Sequence, residues 1–217
     1  SITLYKTYLR ILNDILGKMG INFNTVPVLD VLRKNTHAII GNRSFSENKE
    51  VVKKFGEITI NECYKKNIIP VIKHIPGHGC SAQDSHLTLP KVNLNKKTLN
   101  NVDFYPFKSS SAKLAMTAHI LYTKIDPINV STFSKKIIKE TIRKKIGFKG
   151  ILISDDISMK ALKYDLLTNA KKSFAAGCNL VLYCAGNIKD NLKLIKSVPY
   201  IDKFTKKKTS EIYKNLR

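Results

Sequence analysis

Residues 67–86 read NIIPVIKHIPGHGCSAQDSH, and this stretch decides how the chain is interpreted. An apolar, β-branched run ends at Lys73 and His74, which is typical of a buried strand. A proline and two closely spaced glycines then turn the chain, and three histidines and an aspartate lie in or near the turn. Polar groups at this density need partners or carry chemistry, so we expect a functional loop at a strand end.

Further runs of the same kind alternate with segments of helical periodicity. The predicted strands are 21–30, 67–74, 113–120, 151–156 and 179–184. The predicted helices are 3–19, 48–66, 134–146, 157–176 and 187–196. This alternation predicts parallel βαβ units and an α/β fold. No G-x-G-x-x-G or Walker sequence follows a strand, which argues against a nucleotide-binding fold.

Nearly every predicted strand ends in a polar or ionisable residue. These residues are Asp30, His74, His119 and Asp155. Catalytic groups of a (β/α)8 barrel lie at the carboxyl ends of its strands, and an open doubly wound sheet binds its ligand at the same edge. The pattern predicts a site at this edge and does not decide between the two topologies.

The composition indicates a globular and strongly basic protein. The 217 residues are 43% hydrophobic, and 38 Lys and Arg against 16 Asp and Glu give a net charge of +22. No run approaches the roughly 18 apolar residues that span a bilayer, and residues 1–20 do not resemble a signal peptide. We therefore expect a soluble, cytoplasmic protein without a membrane span. Because the chain starts at Ser1, a longer parent protein is compatible with it.

The charge alone would suggest a nucleic-acid partner. The basic residues are mostly lysines, however, and in 135–149 and 203–214 they have the helical spacing of solvated faces. We interpret the excess as nucleotide bias in an AT-rich genome and predict no nucleic-acid partner. A basic nucleic-acid-binding protein is the alternative, and tight DNA binding with a steep salt dependence would support it.

Neither disulfides nor a metal site are predicted. The cysteines are Cys63, Cys80, Cys178 and Cys184. They form no CxxC pair or zinc spacing, so we expect buried, reduced thiols. The spacings of four and eight between His74, His78 and His86 match no closed zinc site, and the adjacent lysine would repel a cation.

Two groups of residues carry candidate acid–base chemistry. Asp84 and His86 stand two residues apart, where a carboxylate can orient an imidazole and stabilise its cation, although a loop held by local bonds is the simpler alternative. In ILISDDISMKAL (151–162), adjacent side chains at a strand end point to opposite sides, so one aspartate faces a substrate. A carboxylate there, opposite a proton donor, is typical of a retaining glycosidase. Asp156 or Ser154 is also expected to cap the following helix.

Several motifs together resemble one family. They are PVLDV (27–31), GNRSFS (41–46), KHIPGHG with the downstream DSH (73–86), MTAHI (116–120) and SDDISM (154–159). In this order they resemble the β-N-acetylglucosaminidases of glycoside hydrolase family three, of the NagZ type that recycles muropeptides in the cytosol. The resemblance runs from about residue 3 to about residue 196.

The resemblance implies roles for individual residues. Asp155 matches the nucleophile that forms a covalent glycosyl-enzyme, His86 the proton donor and acceptor, and Asp84 the residue that orients His86. The implied sugar-binding positions are Arg43, Lys73 and His74. The implied reaction is retaining hydrolysis of terminal β-linked N-acetylglucosamine from peptidoglycan fragments, and the implied partner is this carbohydrate. No metal or organic cofactor is implied, and the oligomeric state is not predicted.

The sequence also departs from that family. Five predicted strands fall short of the eight of a closed (β/α)8 barrel, for which eight units need about 250 residues. An aspartate-glutamine-glutamate-glycine-glycine motif of the family's first strands is absent. We therefore expect residues 1–217 to be a single partial catalytic domain, the C-terminal part of an incomplete barrel that lacks its N-terminal strands. Such a sheet would expose an edge and an apolar inner face.

Two alternatives follow from this departure and from the acid–base chemistry. The chain could be an inactive or merely sugar-binding remnant of the enzyme. It could also be a phosphorylase, because a histidine does not repel phosphate as a carboxylate would. Formation of a sugar phosphate in the presence of phosphate would identify the second.

Overall fold

The computed structural model describes residues 1–84, 88–214 and 216, and it contains one central parallel sheet. The helices are α1 (Ile2–Lys18), α2 (Lys49–Tyr64), α3 (Lys96–Asn101), a π-helix (Ile137–Ile146), α4 (Leu166–Ala176), α5 (Ile188–Ser197) and α6 (Lys203–Lys214). The strands are β1 (Phe23–Asn24), β2 (Ile69–Ile75), β3 (Lys91–Val92), β4 (Leu114–Thr117), β5 (Leu121–Tyr122), β6 (Ile151–Asp156) and β7 (Leu180–Leu182). Short 3-10 turns lie at Gly41–Arg43, Tyr105–Phe107 and Ser131–Phe133.

The predicted α/β alternation is confirmed. The strand order is β1-β2-β4-β6-β7, and each neighbouring pair is parallel. A helix lies between each of these strands and the next along the chain, as parallel connections require. The short strands β3 and β5 pair with each other in a separate parallel ladder that the sequence did not predict.

Strand alternation divides the core into two layers. Ile72, Ala115 and Leu152 point to the helices and pack in the main cluster, to which α2 contributes Val52 and Ile60. The intervening residues line the opposite, inner face of the sheet. They are Ile69, Val71, Leu114, Met116 and Ile151.

The expectation of an exposed inner face was wrong. The inner-face residues are all at least 95% buried, and Ile212 of α6 packs against them. Lysine is the most frequent residue of α6, Phe204 and Tyr213 are exposed, and Thr205 and Ile212 are its buried residues. The C-terminal helix therefore covers apolar surface that the five strands alone would leave in water.

The predicted boundaries of one strand and one helix were also wrong. Of the predicted strand 21–30, only Phe23–Asn24 pairs regularly, and Val28 adds a single bridge to Lys73. Pro27 lacks an N–H and interrupts the ladder. The predicted helix 157–176 begins only at Leu166.

The helix after β6 is capped by a residue that the sequence analysis did not consider. Asp165 accepts a hydrogen bond from the Thr168 N–H at 3.0 Å, so the proposed caps Asp156 and Ser154 are incorrect. Asp156 instead accepts from the N–H groups of Ser158 and Cys184, at 3.0 and 3.2 Å. Its carboxylate therefore stabilises the loop directly after the strand.

Of the predicted thiols, Cys63 and Cys178 are buried, whereas Cys184 is exposed. In the described part of the chain, no helix combines the length and the apolar character needed to cross a bilayer.

Candidate active site

The carboxyl ends of β2, β4 and β6 lie side by side in the middle of the sheet. Lys73 and His74 lie near the end of β2, and His119 follows β4 by two residues. Asp155 is the penultimate residue of β6. Parallel strands bring their carboxyl ends to one edge, so residues that are far apart in sequence meet there. This group is the candidate active site.

Asp30 anchors the histidine at the end of β2. It is fully buried and accepts hydrogen bonds from His74 Nδ1 at 2.7 Å and from the His78 N–H at 2.6 Å. Burial alone would raise the pKa of Asp30, but His74 and the contacts with His78 hold it below its usual value. Asp30 therefore stays ionised and fixes the orientation of the His74 ring. The sequence predicted Asp30 only as a strand-end residue, without a role.

Asp155 is a partly exposed carboxylate in a cationic and polar environment. Its Oδ1 accepts a hydrogen bond from the Asp156 N–H at 2.8 Å. Burial would raise the pKa of Asp155, but His74, His119, this N–H and Lys73 together lower it. Asp156 is engaged with its own loop, so the two adjacent aspartates have different partners. A carboxylate that remains ionised at neutral pH is available as a nucleophile.

His119 lies behind Asp155 and was not assigned a role from the sequence. It is fully buried, with Nε2 3.0 Å from the Asp156 carbonyl oxygen and Nδ1 2.7 Å from Thr132 Oγ1. The carbonyl can only accept, so Nε2 carries the proton. Burial lowers the pKa of His119, so the ring is neutral and Thr132 donates to Nδ1. The ring thus connects the loop after β4 to the backbone next to Asp155.

Lys73 and Arg43 lie on the β1 side of the site. Both line a cavity of about 430 Å³ between α1, the segment 24–28 and the end of β2. Lys73 Nζ donates to Thr25 Oγ1 at 3.2 Å, and Arg43 Nε donates to the Ile39 carbonyl at 2.7 Å. Burial, followed by the nearby charge of Arg43, lowers the pKa of Lys73. The structure therefore brings Arg43, Lys73 and Asp155 to one side of the sheet edge.

The glycines of the opening stretch allow a tight turn beneath the site. Gly77 has a φ of +145°, and a Cβ at Gly79 would lie 1.9 Å from the Val31 carbonyl oxygen. Between them His78 is buried, and burial together with His74 lowers the pKa of His78 to about 4. The turn thus carries a neutral histidine at its centre.

Asp84 lies on the loop after this turn, where its carbonyl accepts from the Thr88 N–H at 3.0 Å. His86 lies outside the described residues, so its pairing with Asp84 stays a prediction. Over the described ranges, no group of three or more His, Cys, Asp or Glu side chains is arranged to hold a metal ion.

The backbone of the site has features that the sequence did not predict. The Lys73–His74 and Ile75–Pro76 peptide bonds are both cis. The ladder between β2 and β4 shifts register between Lys73 and Ile75. Irregular pairing of this kind is common next to active sites, because it re-aims side chains at the end of a strand.

Comparison with known proteins assigns the chain to a family. Residues 3–211 match the family described as "Glycosyl hydrolase family 3 N terminal domain". The chain is similar to proteins named β-hexosaminidase. It is 36% identical over 180 residues to one from Neisseria gonorrhoeae (81% of this chain, 49% of the relative) and 34% identical to one from Shewanella frigidimarina (80% and 52%). The chain spans about half the length of these relatives.

Solved structures with this fold support the same family assignment. NagZ from Neisseria gonorrhoeae in complex with N-trifluoroacetyl-D-glucosamine superposes with a TM-score of 0.86 at 30% identity, covering 97% of this chain and 61% of that one. A glycoside hydrolase family 3 β-N-acetylglucosaminidase from Paenibacillus gives 0.87 at 25% identity, covering 99% and 43%. The five-stranded sheet is accordingly an incomplete (β/α)8 barrel, as the sequence predicted. The chain belongs to glycosyl hydrolase family 3 and consists of a partial copy of its N-terminal domain.

Proposed function

We propose that this chain provides the catalytic half of a β-N-acetylhexosaminidase. Its substrates are peptidoglycan fragments (muropeptides) with a terminal β-linked N-acetylglucosamine, and its compartment is the cytoplasm. The observation that carries the proposal is Asp155, an ionised carboxylate beside Lys73 and His74 at the carboxyl edge of a parallel sheet. The names of the similar proteins support N-acetylglucosamine as the sugar that is released. We also propose that residues 1–217 form a single partial catalytic domain.

The proposed reaction has two displacement steps. In the first, Asp155 attacks the anomeric carbon, the bond to the leaving oxygen breaks, and His86 gives that oxygen a proton. In the second, His86 takes a proton from water, whose oxygen attacks the same carbon and releases Asp155. Asp84 orients His86, and two inversions give net retention.

The sugar hydroxyls are bound by the cationic side of the site. Lys73 and Arg43 line one cavity, and His74 is held in place by Asp30. An oriented donor loses little freedom when substrate binds, so contacts made by His74 favour the transition-state geometry. No step of this reaction needs a metal or an organic cofactor.

The test is release of nitrophenol from a nitrophenyl β-N-acetylglucosaminide. Asp155→Asn should reduce turnover by about 10³-fold or more, because it removes the nucleophile and keeps the volume of the side chain. Asp14→Asn is the matched control, since Asp14 is an exposed partner of Lys66 on α1 and does not line the cavity. Turnover in Asp155→Asn equal to that of the control would remove Asp155 from the mechanism.

One observation favours a second candidate, sugar binding by residues 1–217 without turnover. These residues span about half the length of the relatives. Titration with N-acetylglucosamine separates the candidates. Binding that depends on Lys73, without nitrophenol release, identifies the second candidate.

A further inference from the structure

The two edges of the central sheet share an unusual surface. β1 forms one edge and β7 the other, and in the described structure neither has a partner on its outer side. Beside each edge lies a helix with an apolar stripe in water. We call the α1–β1 edge the first seam and the α5–β7 edge the second seam.

The first seam is an apolar stripe along the whole of α1. Its members are Leu4, Tyr8, Ile11, Ile15 and Met19, each between 49 and 70% exposed, followed by Phe23 of β1 at 39%. The spacing of three or four residues places the side chains on one face of the helix. The other face of α1 is fixed to α2, where Tyr5 bonds Thr59 at 2.7 Å and Arg10 bonds Glu62 at 2.8 Å. The stripe therefore points away from α2, although its member Tyr8 also lines the cavity between α1 and segment 24–28.

The second seam repeats this arrangement at the opposite edge. Ile188, Leu192 and Ile195 of α5 are between 54 and 75% exposed at helical spacing, while Leu194 packs inward on α4 and its neighbours. Lys189 and Lys196 lie beside this stripe. A single helix with an exposed leucine needs no explanation, but two stripes on the two open edges of one sheet indicate a surface that is normally covered.

A buried amide at the first seam also lacks an acceptor. Asn13 is 1% exposed and lines the cavity between α1 and segment 24–28. Its Oδ1 accepts from Cys63 Sγ at 3.7 Å, whereas its Nδ2 has no hydrogen-bond partner among the described residues. An unsatisfied buried donor is costly, and a carbonyl group inserted into this cavity would satisfy it.

We propose that the two seams form one docking surface for a polypeptide of about three βα units. One of its edge strands pairs in parallel with β1 and the other with β7, while its helices cover the stripes of α1 and α5. Three strands added to the five present give the eight of a closed barrel. About half of each relative lies outside the part that matches this chain, which is room for such units.

A second copy of the chain does not fit this surface. Two copies would bring ten strands, and each carries a net charge of +22, so their association would be opposed by strong repulsion. The same charge, with Lys189 and Lys196 beside the second seam, favours an occupant with an acidic rim. This occupant also adds a wall to the cavity lined by Lys73 and Arg43, so docking and substrate binding are coupled.

The test is co-expression of the chain with a tagged polypeptide. The probe is the part of the Neisseria gonorrhoeae β-hexosaminidase that lies outside its 180 matched residues. We expect a one-to-one complex by light scattering, and slower amide exchange at β1 and β7 in the complex than in the chain alone. No complex, or a complex in which β1 and β7 exchange as fast as before, would overturn the proposal, as would a stable dimer of the chain alone.

Variants at each seam test whether both contribute. Ile11→Glu with Ile15→Glu, and separately Leu192→Glu with Ile195→Glu, should each weaken the complex by about 100-fold, because apolar contacts are replaced by charges. Both pairs are exposed, so the chain should melt at an unchanged temperature. Ile128→Glu, an 84% exposed residue outside both seams, is the control and should bind as the unaltered chain does. Equal binding by all variants would contradict the docking surface. The outcome does not depend on catalysis by Asp155, so it can fail or succeed independently of the proposed function.

Discussion

The candidate site and the two seams belong to the same sheet, yet their surroundings are opposite. At the site, strands β2, β4 and β6 have neighbours on both sides, and Asp30, His74, His119 and Asp155 are connected to other elements. At the seams, β1 and β7 have one neighbour each, and the adjacent helices expose apolar side chains. The candidate site therefore depends on the middle of the sheet. Changes at the site should affect the stability of the chain itself, whereas changes at the seams should affect assembly and leave that stability unchanged.

The largest effect on stability is expected for Asp30→Asn. This change leaves His74 and the turn at His78 without a buried anion, and breaking a buried pair costs about 3–5 kcal/mol of unfolding free energy. Because the pKa of Asp30 is lowered in the fold, this stabilisation is present above the unfolded pKa and is lost as the pH falls through the folded pKa. Urea denaturation at pH 7 measures the difference. Asp14→Asn, an exposed pair, should cost under about 1 kcal/mol, and equal costs for the two variants would refute the role of Asp30.

A smaller effect is expected from acid acting on His78. Its pKa is about 4 in the fold and 6.5 ordinarily, so between these pH values the unfolded chain binds a proton that the folded chain does not. Stability should therefore fall by about 3 kcal/mol as the pH drops from 6.5 to 4. The measurement is urea denaturation across this range. His78→Asn should flatten the profile and His37→Asn, at a partly exposed histidine, should not; identical profiles for both would contradict the assignment.

Ile212→Ala compares the inner face of the sheet with a seam. Ile212 is 3% exposed against the inner face, and its truncation should cost about 2 kcal/mol. The same change at Ile195, which is 71% exposed, should cost less than about 0.5 kcal/mol. Thermal unfolding of the two variants measures this contrast. A null effect at Ile212 would mean that α6 does not stabilise the sheet.

The smallest effect is expected for His119→Gln. Glutamine retains an N–H near the position of Nε2, so it can still donate to the Asp156 carbonyl, whereas alanine cannot. The pKa of Asp155 should rise in His119→Ala and much less in His119→Gln, because glutamine keeps the bond that fixes the Asp156 backbone, whose N–H donates to Asp155. The readout is the titration of the Asp155 carboxyl carbon by NMR. If both variants shift it equally, hydrogen bonding by His119 does not position Asp155.

The sequence predicted the strand-end residues of the site but not how they are connected. Apolar runs mark the strands, and parallel strands bring their ends together, so Asp30, His74, His119 and Asp155 could be found without a structure. Asp30 and His74 are 44 residues apart, however, and no local pattern encodes their bond. The delayed start of α4 was missed because Asp156 binds backbone N–H groups of its own loop and of Cys184, which lies 28 residues away.

The burial of the inner face by α6 was not predicted, for a related reason. Residues 203–214 are dominated by lysine, and this composition indicates a solvated face. Burial there rests on Ile212, together with partial burial of Leu216, and the partners of both lie on strands far away in the sequence. The open edges of the sheet, by contrast, were predicted correctly, because five strands are too few to close a barrel.

The most direct test of the central claim is covalent capture of Asp155. A fluorinated N-acetylglucosaminyl fluoride should lose fluoride to the Asp155 carboxylate and leave a slowly hydrolysed ester, because the ring fluorine slows the second step. Digestion and mass spectrometry of the chain, alone and in complex with the co-expressed polypeptide, would locate the added sugar. We predict a peptide containing Asp155 that carries one sugar in at least the complex, and none in Asp155→Asn. Labelling of another residue, or turnover of the complex with no adduct at all, would contradict the account.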